Sequence, residues 1–460
     1  MGSSIFRMSA LRPLLLSTLL LAFVTAGHAQ TSSQRAAVQL SATALTSPVG
    51  ITLSWPAMSS TTSITIHRKA RTATSWTSLA TPSASATSYT DNTVTVGQVY
   101  EYRVTRVSGG VTGTGYLCTG INVPAPDYRG KLVLLVDNTF SSSLSAELQQ
   151  LVRDLRGDGW AVVRSDLART STVATVKSTI LSHYNSDPAN VKAVFILGHL
   201  AVPYSGNVAP DGHSEHQGAW PCDGYYGELN GTWTDASVNI SSAQRAENRN
   251  VPGDGKFDQS NFPSDLELQV GRVDLYDMPA FGTSETELMR AYLNKLHAFK
   301  VKAFTPTVRG VVFDNLQWVG NPLAGSGWRN MGPLVGPSNI TAANQNSTAF
   351  HSLVNGQSHL WTYSSGGGLQ AVDGGVLTYN GAANVGTTQN FAASSHGGVF
   401  NLAMGSYFGD WDNRNNFLRA PLASGQALTS CWSGIPAWYF HHMGIGENIG
   451  ASVLATMNNS

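Results

Sequence analysis

The sequence predicts a multidomain protein in which an all-β sandwich precedes an α/β region built on parallel sheets. Two observations support this prediction. Residues 38–123 alternate apolar and polar side chains with a period of two, between turns rich in Ser, Thr, Gly and Pro. Beyond residue 130, continuous apolar runs alternate with stretches of helical periodicity. That alternation is typical of a parallel sheet covered by helices.

The change of periodicity also predicts the domain boundaries. We expect a β-sandwich over 36–124, a linker over 125–130, and two α/β subdomains over 131–305 and 306–460. The linker is the Pro-containing segment in which the period changes. Its composition is typical of a connection between domains.

Composition excludes several classes of protein. The chain has 460 residues with 28 basic and 28 acidic side chains, so its formal net charge is zero. A nucleic-acid-binding protein normally has a surplus of basic side chains, so this protein is not expected to bind nucleic acid. Hydrophobic residues make up 42%, which excludes wholesale disorder. Charged residues make up 12%, which indicates the neutral, hydroxyl-rich surface of many secreted bacterial proteins.

The first residues predict a targeting segment. Arg7 and Arg12 precede an apolar run over 14–24, and small residues follow it up to Ala29. This pattern predicts a signal peptide over 1–29 that is removed after export. The run is shorter than the ~20 residues of a spanning helix, and no later segment is long and apolar enough to span. We therefore expect a secreted, periplasmic or cell-surface protein.

The predicted strands of the sandwich lie at 51–55, 63–66 and 100–107. The segment resembles a fibronectin type III domain. Trp55 matches the core Trp of the second strand, Tyr100 matches the Tyr before the penultimate strand, and Asp91 begins its preceding turn. The resemblance implies a module that binds, spaces or orients. No chemistry is expected there.

The predicted elements of the α/β region follow one another in the order strand, helix, strand. Amphipathic helices are predicted at 143–156, 172–184 and 284–300. Buried strands are predicted at 131–136, 160–163, 191–197, 266–273, 307–313, 359–363 and 398–404.

The ends of these strands carry the candidate ligand-binding residues, because open α/β sheets bind ligands beyond the carboxyl ends of their strands. His199 follows one strand, and the glycine-rich stretch 364–368 follows another. The polar stretch 405–412, which includes Asp410 and Asp412, follows a third. We expect these loops to share one rim and to line one pocket.

Three motifs in this region resemble those of the gingipain-type cysteine peptidases, which have the caspase-like fold of clan CD. They are the strand and loop 194–203, the Asp-x-x-Tyr segment 223–227 and the strand 263–272 with its preceding Pro. The resemblance covers 131–448. It implies a secreted peptidase fold of two subdomains.

The resemblance also implies where a catalytic Cys/His pair belongs. In the matching register, Gly366 stands at the position of the His. Tyr407 or Phe408 stands at the position of the Cys. Gly has no side chain that accepts a proton, and Tyr has an ordinary pKa near 10. The sequence therefore predicts a pseudoenzyme without cysteine peptidase activity. An alternative is a displaced pair formed by Cys431 and His396, although His396 precedes a strand instead of following one.

The long stretch after His199 is rich in metal-ligating side chains. Imidazoles and carboxylates at this density can bind Zn²⁺ or another divalent ion. The alternative is a hydrogen-bonded polar loop that shapes a pocket. His441 and His442 near the C-terminus are expected to approach the same rim. The loop runs from 211 to 223 and contains Asp211, His213, Glu215, His216, Trp220, Cys222 and Asp223.

A second acidic stretch lies over 248–258. Asp254 and Asp258 stand there beside glycine, as in loops that bind Ca²⁺. The closing Glu of an EF-hand is missing, so an ordinary turn is the alternative.

Three functions remain open from the sequence. The first is a secreted, non-catalytic gingipain-like protein that binds a peptide or glycan, with the sandwich as spacer. The second is a hydrolase that uses the His213/His216 loop with or without a metal. The third is a cysteine peptidase with the displaced Cys431/His396 pair.

Overall fold

The structure is a computed structural model that describes residues 32–320, 323–343, 348–433 and 437–459. The predicted signal peptide over 1–29 lies outside these residues. Among the helices so described, none combines the length and the apolar composition that a membrane crossing requires.

The first part of the chain carries seven strands: β1 (Ser41–Thr46), β2 (Val49–Ser54), β3 (Thr61–Ala70), β4 (Thr77–Ala80), β5 (Ser88–Asp91), β6 (Val99–Ser108) and β7 (Val111–Gly120). They form two antiparallel sheets of order β1–β2–β5 and β4–β3–β6–β7. One apolar cluster joins the sheets, with Leu53 and Trp55 from one and Ile66 and Val104 from the other. The period of two arises because β3 and β6 bury alternate side chains.

The resemblance to fibronectin type III stays a prediction, and one of its details differs. Tyr102, not Tyr100, is the fully buried tyrosine of β6. Its hydroxyl donates to Asp91 Oδ2 at 2.9 Å. Arg68 donates to the same carboxylate oxygen at 2.6 Å. Asp91 therefore ties the two sheets together.

The next part carries strands β8 (Gly130–Asp137), β9 (Trp160–Leu167), β10 (Val191–Leu197), β11 (Tyr204–Val208), β12 (Gly218–Pro221) and β13 (Gln269–Val273), with helices α1 (Ser145–Gly157), α2 (Val173–Ser186) and α3 (Glu285–Lys300). Four of the strands form a parallel sheet of order β13–β10–β8–β9. On β8, Leu134 packs with α1 and α3, while Leu135 packs with α2. Both faces are covered, which explains the unbroken apolar run of β8.

The last part carries strands β14 (Gly310–Asp314), β15 (Ile340–Ala342), β16 (His359–Ser365), β17 (Gly368–Asp373), β18 (Val376–Ala382), β19 (Gly386–Thr387), β20 (Gly398–Met404) and β21 (Thr429–Trp432). Its helices are α4 (Ala324–Val335), α5 (Phe350–Leu353), α6 (Thr388–Ala392), α7 (Ala420–Ala423) and α8 (Ile449–Met457). A second parallel sheet has the order β15–β14–β16–β20–β21. The predicted α/β architecture with parallel sheets is therefore confirmed.

The two parallel sheets share one apolar core. A single cluster contains Leu134 of the first sheet, Leu288 of α3 and Phe313 and Val399 of the second sheet. The boundary predicted between 305 and 306 thus lies between two sheets that pack on one shared cluster, while the other face of each sheet packs on a cluster of its own.

The predicted common rim is divided between these sheets. His199 follows β10 of the four-stranded sheet, whereas the loops after β16 and β20 belong to the five-stranded sheet. The long connection from β10 to β13 contains the hairpin of β11 and β12. This connection reaches the end of β20, as the contacts below show.

Candidate functional site

The centre of the candidate site is the bend that follows β20. Ser406 comes two residues after the strand ends, and Tyr407 adopts a left-handed backbone with φ of 70°. This conformation is uncommon for residues other than Gly and costs about 1 kcal/mol. Two contacts stabilise it: the Tyr407 amide donates to Asp211 Oδ2 at 2.9 Å, and the Tyr407 ring stacks on Tyr379. The bend places Ser406 at the carboxyl end of an interior strand.

Ser406 forms a pair with His213 of the long connection. The distance from Ser406 Oγ to His213 Nε2 is 2.8 Å. The imidazole stacks on the Tyr407 ring, with centroids 4.8 Å apart, and its side chain is 39% exposed. The pair is therefore fixed in orientation and still open to solvent. A hydroxyl bonded to an accessible imidazole is the arrangement that nucleophilic catalysis uses.

A carboxylate stands at the other ring nitrogen of His213. Glu215 Oε1 lies 3.5 Å from His213 Nδ1, an ion-pair contact rather than a close hydrogen bond. The same oxygen accepts from the Tyr407 hydroxyl at 3.3 Å. Ser406, His213 and Glu215 thus follow the order nucleophile, base and orienting acid of hydrolase triads.

Beneath this pair lies a second histidine with a different environment. His216 is fully buried, with Nδ1 2.9 Å from Asp211 Oδ2 and Nε2 2.6 Å from Asp410 Oδ2. Burial by itself would lower the pKa of His216, but the hydrogen bonds and charges of the two aspartates raise it to about 9. Burial would raise the pKa of Asp211, but its hydrogen bond with His216 holds that pKa below its usual value. His216 is therefore an imidazolium between two carboxylates.

The aspartate on the far side of His216 belongs to a larger buried network. Asp410 Oδ1 accepts from Asn248 Nδ2 at 2.7 Å and lies 2.9 Å from Arg245. Arg245 also lies 3.1 Å from Asp412, whose other oxygen accepts from the Tyr204 hydroxyl at 2.5 Å. These contacts join the long connection to the loop after β20. They hold His213 and Ser406, which stand on separate segments, in one place.

These contacts change the interpretation of the loop as a metal site. Both ring nitrogens of His216 are engaged by carboxylates, so no lone pair is free for a metal ion. His213 instead faces Ser406. Trp220, predicted as a ligand-stacking surface, is 7% exposed and stacks on Trp432 with centroids 5.7 Å apart. Trp220 is therefore a buried wall of the network.

Two other predicted pocket residues lie elsewhere. His199 Nδ1 lies 2.8 Å from the buried Asp274, and its ring stacks on Tyr276. Asp223 accepts two hydrogen bonds from Arg272, at 2.7 and 2.8 Å. This bidentate pair secures the segment that follows β12 against β13. Neither residue is in contact with Ser406.

The surroundings of the loop after β16 explain why glycine stands at 366, where the gingipain resemblance places a catalytic histidine. A Cβ atom at Gly366 would lie 2.4 Å from the carbonyl oxygen of Ala383, so no side chain fits there. A Cβ atom at Gly368 would lie 2.2 Å from the carbonyl oxygen of Ser406. The loop therefore packs against the backbone of the bend. Tyr407 and Phe408, which the resemblance places at the position of the nucleophile, are 7% and 0% exposed, and the neighbouring Ser406 is the residue whose hydroxyl contacts His213.

Cys431 and His396 are not brought together. Cys431 pairs with Leu402 near the end of β20 and packs with the cluster that includes α4. His396 precedes β20 and packs against Phe350 and Phe391 on the opposite face of the sheet. Burial raises the pKa of Cys431 to about 12. The alternative prediction of a displaced Cys431/His396 pair is therefore wrong.

The predicted calcium ligands instead organise their own loop. Asp258 accepts from the amides of Ala236, Ser237 and Val238, and these bonds, led by that of Val238, hold its pKa well below the usual range. Asp254 accepts from the amides of Val251 and Lys256. Their carboxylate oxygens are used by the backbone, which matches the ordinary turn weighed as the alternative.

His441 and His442 do not approach the rim. They face Glu101 of the sandwich, at 3.4 and 3.1 Å. Across the described stretches, this is the one group of at least three His, Cys, Asp or Glu residues with ligand atoms mutually within 4.8 Å.

Sequence reasoning missed Ser406 as a site residue and identified Glu215 only as one of the metal-ligating side chains of the loop 211–223. A signal was present, because Ser406 is the first hydroxyl after a strongly apolar strand and is preceded by Gly405. Its partner His213 is separated from it by 193 residues. No local pattern reveals a contact over that distance.

Comparisons with known proteins complete the description. No protein-family profile matches the chain, and a search of curated proteins found no match. Among solved structures, the Arg-specific cysteine proteinase gingipain R is similar over 65% of this chain and 60% of its own, with 10% identity and a TM-score of 0.38. An Fn3-like protein from Clostridium thermocellum matches 19% of this chain and 90% of its own, with 29% identity and a TM-score of 0.16. Pectate lyase PelI from Erwinia chrysanthemi matches 22% of this chain and 33% of its own, with 18% identity and a TM-score of 0.17. At these TM-scores none of the three assigns a family or an activity to this chain.

Proposed function

We propose that the protein is a hydrolase in which Ser406 is the nucleophile and His213 the general base. One observation carries the proposal: the 2.8 Å contact of Ser406 Oγ with His213 Nε2, at the carboxyl end of an interior strand. Parallel α/β sheets bind ligands at that end. This is the second of the three functions open from the sequence, in its metal-free form.

The chemistry follows from the two atoms in contact. With Nε2 unprotonated, His213 accepts the proton of Ser406 Oγ as this oxygen bonds to the carbonyl carbon of an ester or amide. The bond from that carbon to the leaving group then breaks, and His213 returns the proton to the leaving group. A water molecule, deprotonated in the same way, releases the acid from Ser406.

Neighbouring groups support this assignment. Glu215 stands where it can hold the Nδ1 proton of His213, which selects the tautomer that leaves Nε2 free. Gly367 borders the bend with open space where a side chain would lie, which leaves room for a substrate carbonyl. Asp211 accepts from the amides of both His213 and Tyr407, at 3.3 and 2.9 Å. One buried carboxylate therefore positions the base and the nucleophile together.

Export of the protein is part of the proposal and rests on the apolar run flanked by arginines near the N-terminus. Extracellular peptides or esterified glycans are the corresponding substrate classes. A non-catalytic role in binding peptide or glycan is the second candidate. It is favoured by Gly366, which offers no side chain at the position that the gingipain resemblance assigns to a catalytic histidine.

The test is covalent labelling with a fluorophosphonate, a reagent that reacts with activated serines. We expect one label per chain, located on Ser406 by peptide mass spectrometry, and hydrolysis of a p-nitrophenyl ester. Ser406→Ala should remove the label and lower kcat by about 1000-fold or more.

Cys431→Ala is the matched control and should leave both labelling and turnover unchanged. Equal turnover by Ser406→Ala and the unaltered protein would contradict the proposal. Retention of a peptide or glycan without labelling or turnover would favour the binding role.

A further inference from the structure

A buried cluster of metal-ligating side chains lies far from the candidate active site, between the sandwich and the C-terminal segment. Glu101 projects from β6, and His441 and His442 begin the short 3-10 helix His441–Ile445. The three residues are 3%, 4% and 5% exposed. Residues far apart in sequence therefore place three potential ligands in a dry interior.

The geometry of the cluster suits one ion. One ligand atom from each residue lies within 4.8 Å of the others. Glu101 Oε2 is 3.4 Å from His441 Nε2, and Glu101 Oε1 is 3.1 Å from His442 Nε2. The imidazole rings lie side by side with centroids 4.0 Å apart. Two imidazoles and a carboxylate are a ligand set that Zn²⁺ accepts.

Two polar atoms of the cluster lack hydrogen bonds. Nδ1 of His441 and Nδ1 of His442 are buried and form none, whereas Oε1 of Glu101 has His442 Nε2 as a neighbour at 3.1 Å. Buried polar groups in folded proteins are nearly always satisfied, so each exception needs an explanation. A bound ion would take one ring nitrogen of each imidazole and a carboxylate oxygen, which would fix the orientation of both rings.

The surrounding charges must also be compatible with a cation. Lys69 and Arg71 lie 3.5 and 3.6 Å from Glu101, and their side chains are 13% and 32% exposed. Both have access to solvent and can move outward when a metal takes their place. Arg71 also lies 3.6 Å from Glu447, which holds it at the outer side of the cluster.

Cys118, on the neighbouring strand, stands beside the cluster but outside the group of ligand atoms that lie within 4.8 Å of one another. Cys118 of β7 stands directly opposite Glu101 and is 4% exposed. Residues directly opposed across two strands project from the same face of the sheet. A thiolate there would add a second negative charge beside Glu101, and together they offset the two charges of Zn²⁺.

We infer that Glu101, His441 and His442 bind a zinc ion that joins the sandwich to the α/β region. The site is structural, because it is closed by protein and separate from Ser406. Its ligands come from the two parts of the chain whose association it stabilises, so the ion acts on their relative placement.

The experiment uses the full chain, purified without a histidine tag, dialysed against EDTA and titrated with zinc sulfate. We expect one equivalent of zinc by elemental analysis after removal of excess metal. We also expect an upward shift of the melting temperature of about 2 °C or more. Co²⁺ in place of zinc should give the visible absorption of a tetrahedral site, with a thiolate band if Cys118 is the fourth ligand.

Glu101→Gln and His442→Asn should abolish zinc retention and the zinc-dependent shift. In EDTA, each variant that remains folded by circular dichroism should still label at Ser406. His199→Asn is the control, since it alters another carboxylate-bonded histidine, and should retain one equivalent. The inference is overturned if the unaltered chain retains no zinc, or if both variants retain as much zinc as the control.

Discussion

Two histidines three positions apart show how partners decide chemistry. His213 and His216 lie on the same loop, and each faces the segment that follows β20. His216 is fully buried between two carboxylates and stays charged, so it has no nitrogen free to accept a proton. His213 is partly exposed and has a hydroxyl at one nitrogen and a distant carboxylate at the other. The buried histidine holds the structure together, and the exposed one is free to react.

The sharpest way to break this comparison is to remove the exposed histidine. His213→Asn should lower kcat for ester hydrolysis by about 100-fold to 10,000-fold, the usual effect of removing a general base. The free energy of unfolding should change by less than about 0.5 kcal/mol, because the side chain is partly exposed. Steady-state kinetics and urea denaturation measure the two quantities. Unchanged turnover with reduced stability would make the pair with Ser406 purely structural.

Removing a carboxylate partner of the buried His216 should lower the stability of the protein. Asp410→Ala leaves His216 with Asp211 alone and Arg245 with Asp412 alone, and removing one member of a buried charge network costs about 3–5 kcal/mol. Urea denaturation should show this loss. Asp166→Ala removes the partner of Arg164 at the surface and should cost less than about 1 kcal/mol. Similar losses for the two variants would show that the buried network contributes little.

The charge of His216 can be tested by pH. Its pKa is raised from 6.5 to about 9 in the folded protein, so folding favours the protonated form. The resulting stability, about 3 kcal/mol, is fully present below pH 6.5 and is lost as pH rises through about 9. Urea denaturation across this range should follow that decline in the free energy of unfolding. His216→Gln should remove the part of the decline that the titration of His216 causes. A stability curve of His216→Gln parallel to that of the unaltered protein would refute a charged His216.

The smallest effect is expected at Glu215. The contact with His213 is long and the Glu215 side chain is 48% exposed, so solvent screens it. Glu215→Gln should lower kcat by no more than about 5-fold, corresponding to about 1 kcal/mol, with KM unchanged. Added salt should narrow the difference from the unaltered enzyme. A loss comparable to that of His213→Asn would mean that Glu215 acts much more directly than its distance indicates.

The sequence predicted the fold better than the site. The strands β8 and β10 were predictable because both of their faces are buried, which leaves an unbroken apolar run. The pairing of His213 with Ser406 depends on how a long connection docks. Ser406 also lies one residue before Tyr407, the position predicted from the resemblance. The left-handed backbone of Tyr407 could not be predicted, because no glycine stands there. Asp211 and Asp410 were predicted as pocket residues, but their bonds to His216 depend on tertiary packing.

The docking of the long connection also has a consequence for how the protein is made. His213 and Ser406 come from distant segments, and Asp211 positions both only after it is buried beside His216. A chain that is still unfolded therefore has a serine without a base. On the proposed function, only the completely folded protein is active.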